Sequence, residues 1–139
     1  MGLYVGLRVK GVVKKEFRDE IKKIEEYGEW KKSKDIKFKE FSKIERANFI
    51  PNGAYADCES YSKYNKDTGE WDFKCYINYG LETINAFIKL IPYFMEKIEI
   101  LKSGFTGDVD NVVDEYNMID GRICLSKSYE ERENFEGNI

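Results

Sequence analysis

Leu3, Val5, Leu7 and Val9 alternate with Tyr4, Gly6, Arg8 and Lys10. That period of two predicts a half-buried strand, which Gly11 is expected to break. Val13, Phe17, Ile21, Ile24 and Tyr27 follow at three- and four-residue spacing. They fall on one stripe of a helix that Gly28 should stop. Residues 30–39 are Lys-rich, and Ile36, Phe38 and Phe41 fit either a short strand or the start of a helix. The turn signal Pro51-Asn52-Gly53 comes next. Residues 54–79 then read as a hairpin, with Ala54, Ala56 and Cys58 on one strand and Trp71, Phe73, Cys75 and Ile77 on the other. The loop between them is Asn65-Lys66-Asp67-Thr68-Gly69.

A second amphipathic run, residues 81–95, carries Ile84, Phe87, Ile88, Ile91 and Met95 on one face. Pro92 should kink or end it, because proline removes an intrahelical hydrogen bond. The short apolar run 98–101 predicts a strand. Residues 116–125, centred on Asp120-Gly121, predict a hairpin whose type I′ turn needs positive φ at both central positions. The order of elements predicts an α+β fold: a ferredoxin-like sandwich, mainly an antiparallel sheet, with two helices on one face and an added C-terminal hairpin. Residues 1–128 form one domain in this reading, and the charged stretch 129–139 is a tail that should fray.

The stretch from Trp71 through the helix to Ile98-Glu99-Ile100, then Gly104-Phe105 and Tyr116 followed by Asp120-Gly121, resembles the ferredoxin-like domain of Api92/YubB-type phage and plasmid proteins. The resemblance covers residues 70–125. It implies the same ferredoxin-like fold and a mobile-element origin, and it brings no catalytic residue with it.

Composition narrows the function classes. Aromatic residues make up 15% of the chain, which is too apolar for a disordered segment. No apolar run approaches the roughly 20 residues that span a bilayer. The N-terminal residues read as a strand instead of a basic-then-apolar leader. Cys58, Cys75 and Cys124 are widely spaced and predict reduced thiols, with Cys75 in phase with the core positions of its strand. These features predict a cytoplasmic protein without a membrane partner. Abundant Lys, Ile, Asn, Tyr and Phe with little Ala or Pro suggest an AT-rich genome, such as a low-GC bacterium, its phage or its plasmid.

The chain has no histidine, so Ser-His-Asp and Cys-His nucleophile arrangements and most zinc sites are excluded. No Gly-x-x-x-x-Gly-Lys-Ser/Thr loop is present to cradle phosphates, and Gly2, Gly6 and Gly11 lack dinucleotide-binding spacing. No cofactor is expected. Residues 1–50 hold fourteen Lys and Arg against nine Asp and Glu, so the remainder carries the acidic excess behind a net charge of −3. Asp108, Asp110, Asp114 and Glu115 form the densest acid cluster outside the tail. A hard cation would take such oxygen ligands, but Val112 sits at an EF-hand ligand position. A solvated loop and a partner-facing acidic surface fit as well. With Tyr116 as anchor, these four acids are the expected partner-binding residues.

The expected function is a small, non-enzymatic protein-binding module that inhibits a host, defence or toxin protein. The alternative is a single-stranded nucleic-acid-binding module. It would use Lys31, Lys32, Lys34, Lys37 and Lys39 for phosphates, with Trp30 and Phe38 to stack on bases. A third reading is an enzyme working through paired carboxylates, which an apolar cleft holding two acids would favour. An exposed edge strand would also allow a homodimer by sheet extension.

Overall fold

The computed structural model describes residues 4–55, 60–106 and 112–130. They form a mixed α+β fold with a six-stranded antiparallel sheet and three α-helices. The strands are β1 (Tyr4–Val13), β2 (Tyr61–Tyr64), β3 (Glu70–Asn78), β4 (Met95–Thr106), β5 (Val112–Ile119) and β6 (Arg122–Glu130). The helices are α1 (Arg18–Tyr27), α2 (Ile36–Ser42) and α3 (Leu81–Phe94). Across the sheet the order is β2-β3-β1-β4-β5-β6. Among the described residues no helix is long and apolar enough to cross a membrane.

The two periodicities in the sequence meet in one core. Val5, Leu7 and Val9 of β1 face the same side as Trp71, Phe73, Cys75 and Ile77 of β3 and Leu101 of β4. Ile21 and Ile24 of α1, Phe38 and Phe41 of α2, and Ile84, Phe87, Ile91 and Phe94 of α3 close over that side. At the centre stands Trp30, fully buried, with its indole N–H donating to the Ile50 carbonyl at 2.8 Å. The rings of Phe38, Phe41, Phe87 and Phe94 surround it at centroid distances of 5.1–6.4 Å, all edge-on. Such T-shaped contacts satisfy the ring quadrupoles while removing a large apolar area from water.

Several expectations change. Three α-helices cover the sheet where two were expected, because residues 36–42 are helical. Asp35 starts α2 by accepting from the N–H groups of Lys37 and Phe38, the usual role of an N-cap aspartate. The same carboxylate accepts the Tyr93 hydroxyl of α3 at 2.6 Å, and this bond pushes the phenol up to about 12. Gly11 does not end β1, which runs on to Val13. The helical stripe accordingly begins later, and Tyr27 is exposed. The hairpin expected over residues 54–79 is confined to β2 and β3; Ala56 and Cys58 lie outside the described residues. Pro92 is tolerated inside α3, which ends two residues later. The Asp120-Gly121 turn is as expected, with φ of 52° and 74°.

The C-terminal hairpin is offset from the rest of the sheet. Among the described residues β5 pairs with β4 only from Lys102 to Gly104. A bulge between Glu115 and Tyr116 then bends it. Beyond that bend Tyr116, Met118 and Ile123 pack against the main core, so the hairpin tip curls toward the helix layer.

Candidate functional site

Helices cover one face of the sheet, and the other face is built from the polar phase of the strands. Cross-strand register sets its rows. The central row runs Tyr61, Lys74, Arg8, Lys102, Glu115 and Lys127 from β2 to β6. One step along the strands the row is Tyr76, Gly6, Gly104, Val113 and Tyr129. Tyr76 and Val113 are buried there, with Tyr4, Tyr55 and Tyr129 packed against them. One step the other way lie Lys63, Asp72, Lys10 and Ile100.

Arg8 of β1, Asp72 of β3 and Tyr61 of the edge strand β2 form a cluster on this face. Arg8 pairs with Asp72 Oδ1 through Nη1, and the Tyr61 hydroxyl donates to the same oxygen at 3.0 Å. The guanidinium also lies 5.6 Å from the Tyr61 ring centroid, and Lys63 Nζ lies at 5.6 Å from the same ring. Burial and the Asp72 hydrogen bond raise the Tyr61 phenol above its ordinary range, against the opposing charge of Arg8. The side chain of Arg8 is only 14% exposed, so this pair is partly desolvated and its geometry is fixed.

Beside this cluster a cleft of about 500 Å³ opens toward the β2–β3 turn. Lys10 and Val12 of β1, Lys63 of β2, Glu70 and Asp72 of β3, and Lys97 and Glu99 of β4 line it. Two bulges in β4 shape it. Lys10 pairs with Ile100 but Gly11 pairs with Ile98, and Val12 pairs with Lys97 but Val13 with Met95. Glu99 and Glu96 are therefore the extra residues. Strict alternation from Ile100 would turn Glu99 toward the helices and Ile98 outward. The first bulge reverses this: Ile98 packs on the core, while Glu99 reaches Lys10 Nζ at 3.4 Å on the open face. The bulged strand comes so close to β1 that a Cβ on Gly11 would overlap the Lys97 carbonyl oxygen.

Of the acids expected to bind a partner, the two described ones, Asp114 and Glu115, do not share a face. Asp108 and Asp110 lie outside the described residues. Asp114 and Glu115 belong to β5, so alternation sends them to opposite faces. Asp114 lies opposite Ser103 on the helix side and accepts the Ser128 hydroxyl at 2.6 Å. Tyr116 shares that side. Burial raises its phenol, as does nearby Asp114, while a hydrogen bond with Ser103 opposes the shift. Of the two described acids Glu115 is the one on the open face, 3.8 Å from both Lys102 and Lys127. Among the described residues no group of three or more His, Cys, Asp or Glu is gathered to hold a metal.

The Lys-rich stretch keeps its charges in solvent, whereas its aromatics are core. Trp30 and Phe38 are fully buried, so neither presents a ring to a base. The backbone between them is tied down. Ser33 Oγ donates to Glu20 at 2.7 Å, Lys34 N–H donates to the same carboxylate oxygen, and Asp35 N–H donates to Ser33 Oγ. A smaller groove of about 290 Å³ between α2 and α3 is lined by Phe41, Ile44, Ala86 and Leu90, with Lys37, Glu40 and Lys89 at its rim.

Arg8, Lys10, Asp72 and Tyr61 were not singled out from the sequence as site residues, although their signal was present as the polar phase of the strands that supply the core. Lys97 and Glu99 carried no such signal, because their placement depends on the bulges. No family model, curated protein or solved structure matches the chain.

Proposed function

We propose that this chain is a non-enzymatic binding module that engages another protein through the open face of its sheet. The supporting observation is the Arg8–Asp72–Tyr61 cluster on that face, over which none of the described helices lies. Tyr and Arg are the side chains that most often anchor interfaces. Here both are already held by Asp72, so a partner loses little of their freedom on docking. Glu115, the one expected partner-binding acid described on this face, extends the same surface by two strands. The proposal keeps the inhibitor reading, in which the face occupies a functional surface of a host, defence or toxin protein.

The fold proposal is a ferredoxin-like unit of β1, α1, β2, β3, α3 and β4, with α2 inserted and the β5–β6 hairpin added. The strand order β2-β3-β1-β4 within the larger sheet supports it. Together with the strand-helix-strand sequence around α3, it also supports the resemblance to the Api92/YubB-type proteins and a mobile-element origin.

The test is an affinity capture from a low-GC bacterial lysate, with and without nuclease, using the wild type, Arg8→Ala with Tyr61→Ala, and a variant with Lys31, Lys32, Lys34, Lys37 and Lys39 all changed to Gln. Circular dichroism confirms that each variant is folded. The expected result is one near-stoichiometric protein that survives nuclease, is lost with the Arg8/Tyr61 variant and is kept by the lysine variant. Equal capture by the Arg8/Tyr61 variant would overturn the assignment of the face. Recovery of nucleic acid alone, lost with the lysine variant, would replace the proposal with the nucleic-acid reading.

A further inference from the structure

We propose that the cleft beside Lys10 and Gly11, which shares Asp72 with the neighbouring Arg8–Asp72–Tyr61 cluster, is a small-molecule site, and that its ligand is a sugar phosphate. Its volume of about 500 Å³ lies within the range of roughly 300–1,000 Å³ typical of ligand pockets. The cleft is also built in a specific way. Two bulges within a few residues of β4 place Lys97 and Glu99 on its wall, and the close strand approach at Gly11 leaves no room for a Cβ. Bulges of this kind are common where a side chain must be re-aimed at a site.

Charge selects the ligand class. Three lysines and three carboxylates line the cleft, but the carboxylates are not equally available. Asp72 is engaged by Arg8 and Tyr61, and Glu99 by Lys10. Lys63 and Lys97, on β2 and β4, therefore share the lining with Glu70, the one acid of it whose carboxylate makes no ion pair or side-chain hydrogen bond among the described residues. Two ammonium groups across a polar cleft suit a phosphate, which lysine binds as a point charge. Glu70 and Glu99 are acceptors for the hydroxyls of an attached sugar. Trp71 and Tyr64 contribute to the walls, but their rings belong to the covered face. The lining thus offers no ring on which a nucleobase would stack, and this favours a sugar phosphate over a nucleotide.

The experiment is an amide chemical-shift titration of the full chain with ribose 5-phosphate, inorganic phosphate and ribose, repeated on the Lys63→Gln/Lys97→Gln variant. Both lysines are solvent-exposed, so the variant keeps the fold. Ribose 5-phosphate is expected to give saturable shifts at Lys10, Gly11, Val12 and Asp72, at lower concentration than inorganic phosphate, and ribose none. Loss of the two charge-assisted contacts should weaken binding by about tenfold or more. Absence of saturable shifts in the cleft, an equal response to ribose, or unchanged affinity in the variant would each overturn the site. Inorganic phosphate binding as tightly as ribose 5-phosphate would overturn the sugar. Because Arg8 and Tyr61 are untouched, failure here leaves the protein-docking proposal standing.

Discussion

Trp30→Phe separates a structural role for the aromatic in the Lys-rich stretch from a nucleic-acid-binding one. Trp30 is fully buried, and its indole N–H donates to the Ile50 carbonyl at 2.8 Å. Phenylalanine fills most of the volume but has no N–H, so that buried carbonyl loses its donor, at a cost of about 1–3 kcal/mol. The missing part of the indole leaves a gap among Phe38, Phe41, Phe87 and Phe94, which adds about 1–2 kcal/mol of lost burial and cavity. The expected loss is about 2–5 kcal/mol, a large share of the roughly 5–15 kcal/mol that holds a typical domain together. Urea unfolding followed by far-UV circular dichroism measures it. Lys31→Gln and Lys32→Gln serve as controls, since exposed substitutions of this kind stay within about 0.5 kcal/mol. A Trp30→Phe protein as stable as these controls would refute the argument that this residue anchors the core.

Gly11→Ala pushes a methyl group into the Lys97 carbonyl and must shift β1 or β4. A loss of about 1–3 kcal/mol is expected, and calorimetry should find the Tm lower by roughly 3–10 °C. Glu20 behaves as a pH-dependent strut. Burial opposes its ionisation, but the Ser33 hydroxyl, the Lys34 N–H and the Lys23 charge outweigh it and lower the folded-state pKa. A lowered carboxylate pKa contributes stability that is fully present above the unfolded value of about 4.3 and is lost as pH falls through the folded value. Glu20→Gln should therefore be less stable than wild type at about pH 7, and the gap should shrink by about pH 3; a constant gap in urea midpoints would contradict this. Burial pushes the Cys75 thiol well up, while Cys124 is exposed. Peptide mapping after brief iodoacetamide treatment should find Cys124 alkylated in the native protein and Cys75 only after unfolding.

The elements legible in the sequence were those whose burial follows one uninterrupted period. β3, α3 and the β5–β6 turn fall close to their expected places because Trp71 to Ile77 keep a period of two, Ile84 to Ile91 keep the helical one, and Asp120-Gly121 fits one turn type. Residues 30–42 were ambiguous for a physical reason. Trp30, Phe38 and Phe41 are all core, but a single helical turn and a short helix separated by a bend deliver them, so no single period relates them. What caps that bend is tertiary, since Glu20 and Tyr93 come from α1 and α3. The grouping of Asp114 with Glu115 was misleading for the opposite reason. Asp114 and Glu115 are neighbours in sequence, and a loop would have kept them together. In a strand, adjacency means opposite faces.

The open face divides its side chains into two energetic kinds, and the division follows from register. Arg8 and Tyr61 meet at Asp72, so their charge and hydrogen-bond demands are satisfied within the protein before any partner arrives. Truncating either would leave the others of the cluster imperfectly paired under a docked surface, and the effect should fall on the dissociation rate. Lys63 and Lys127 stand on the edge strands β2 and β6, and both side chains are exposed. Neutralising them changes the long-range field more than any contact, so it should alter the association rate and its salt dependence. Surface plasmon resonance at two ionic strengths distinguishes the two kinds once a partner is in hand. If Arg8→Ala changed only association, or Lys127→Gln only dissociation, the anchoring role proposed for the Arg8–Asp72–Tyr61 cluster would be refuted.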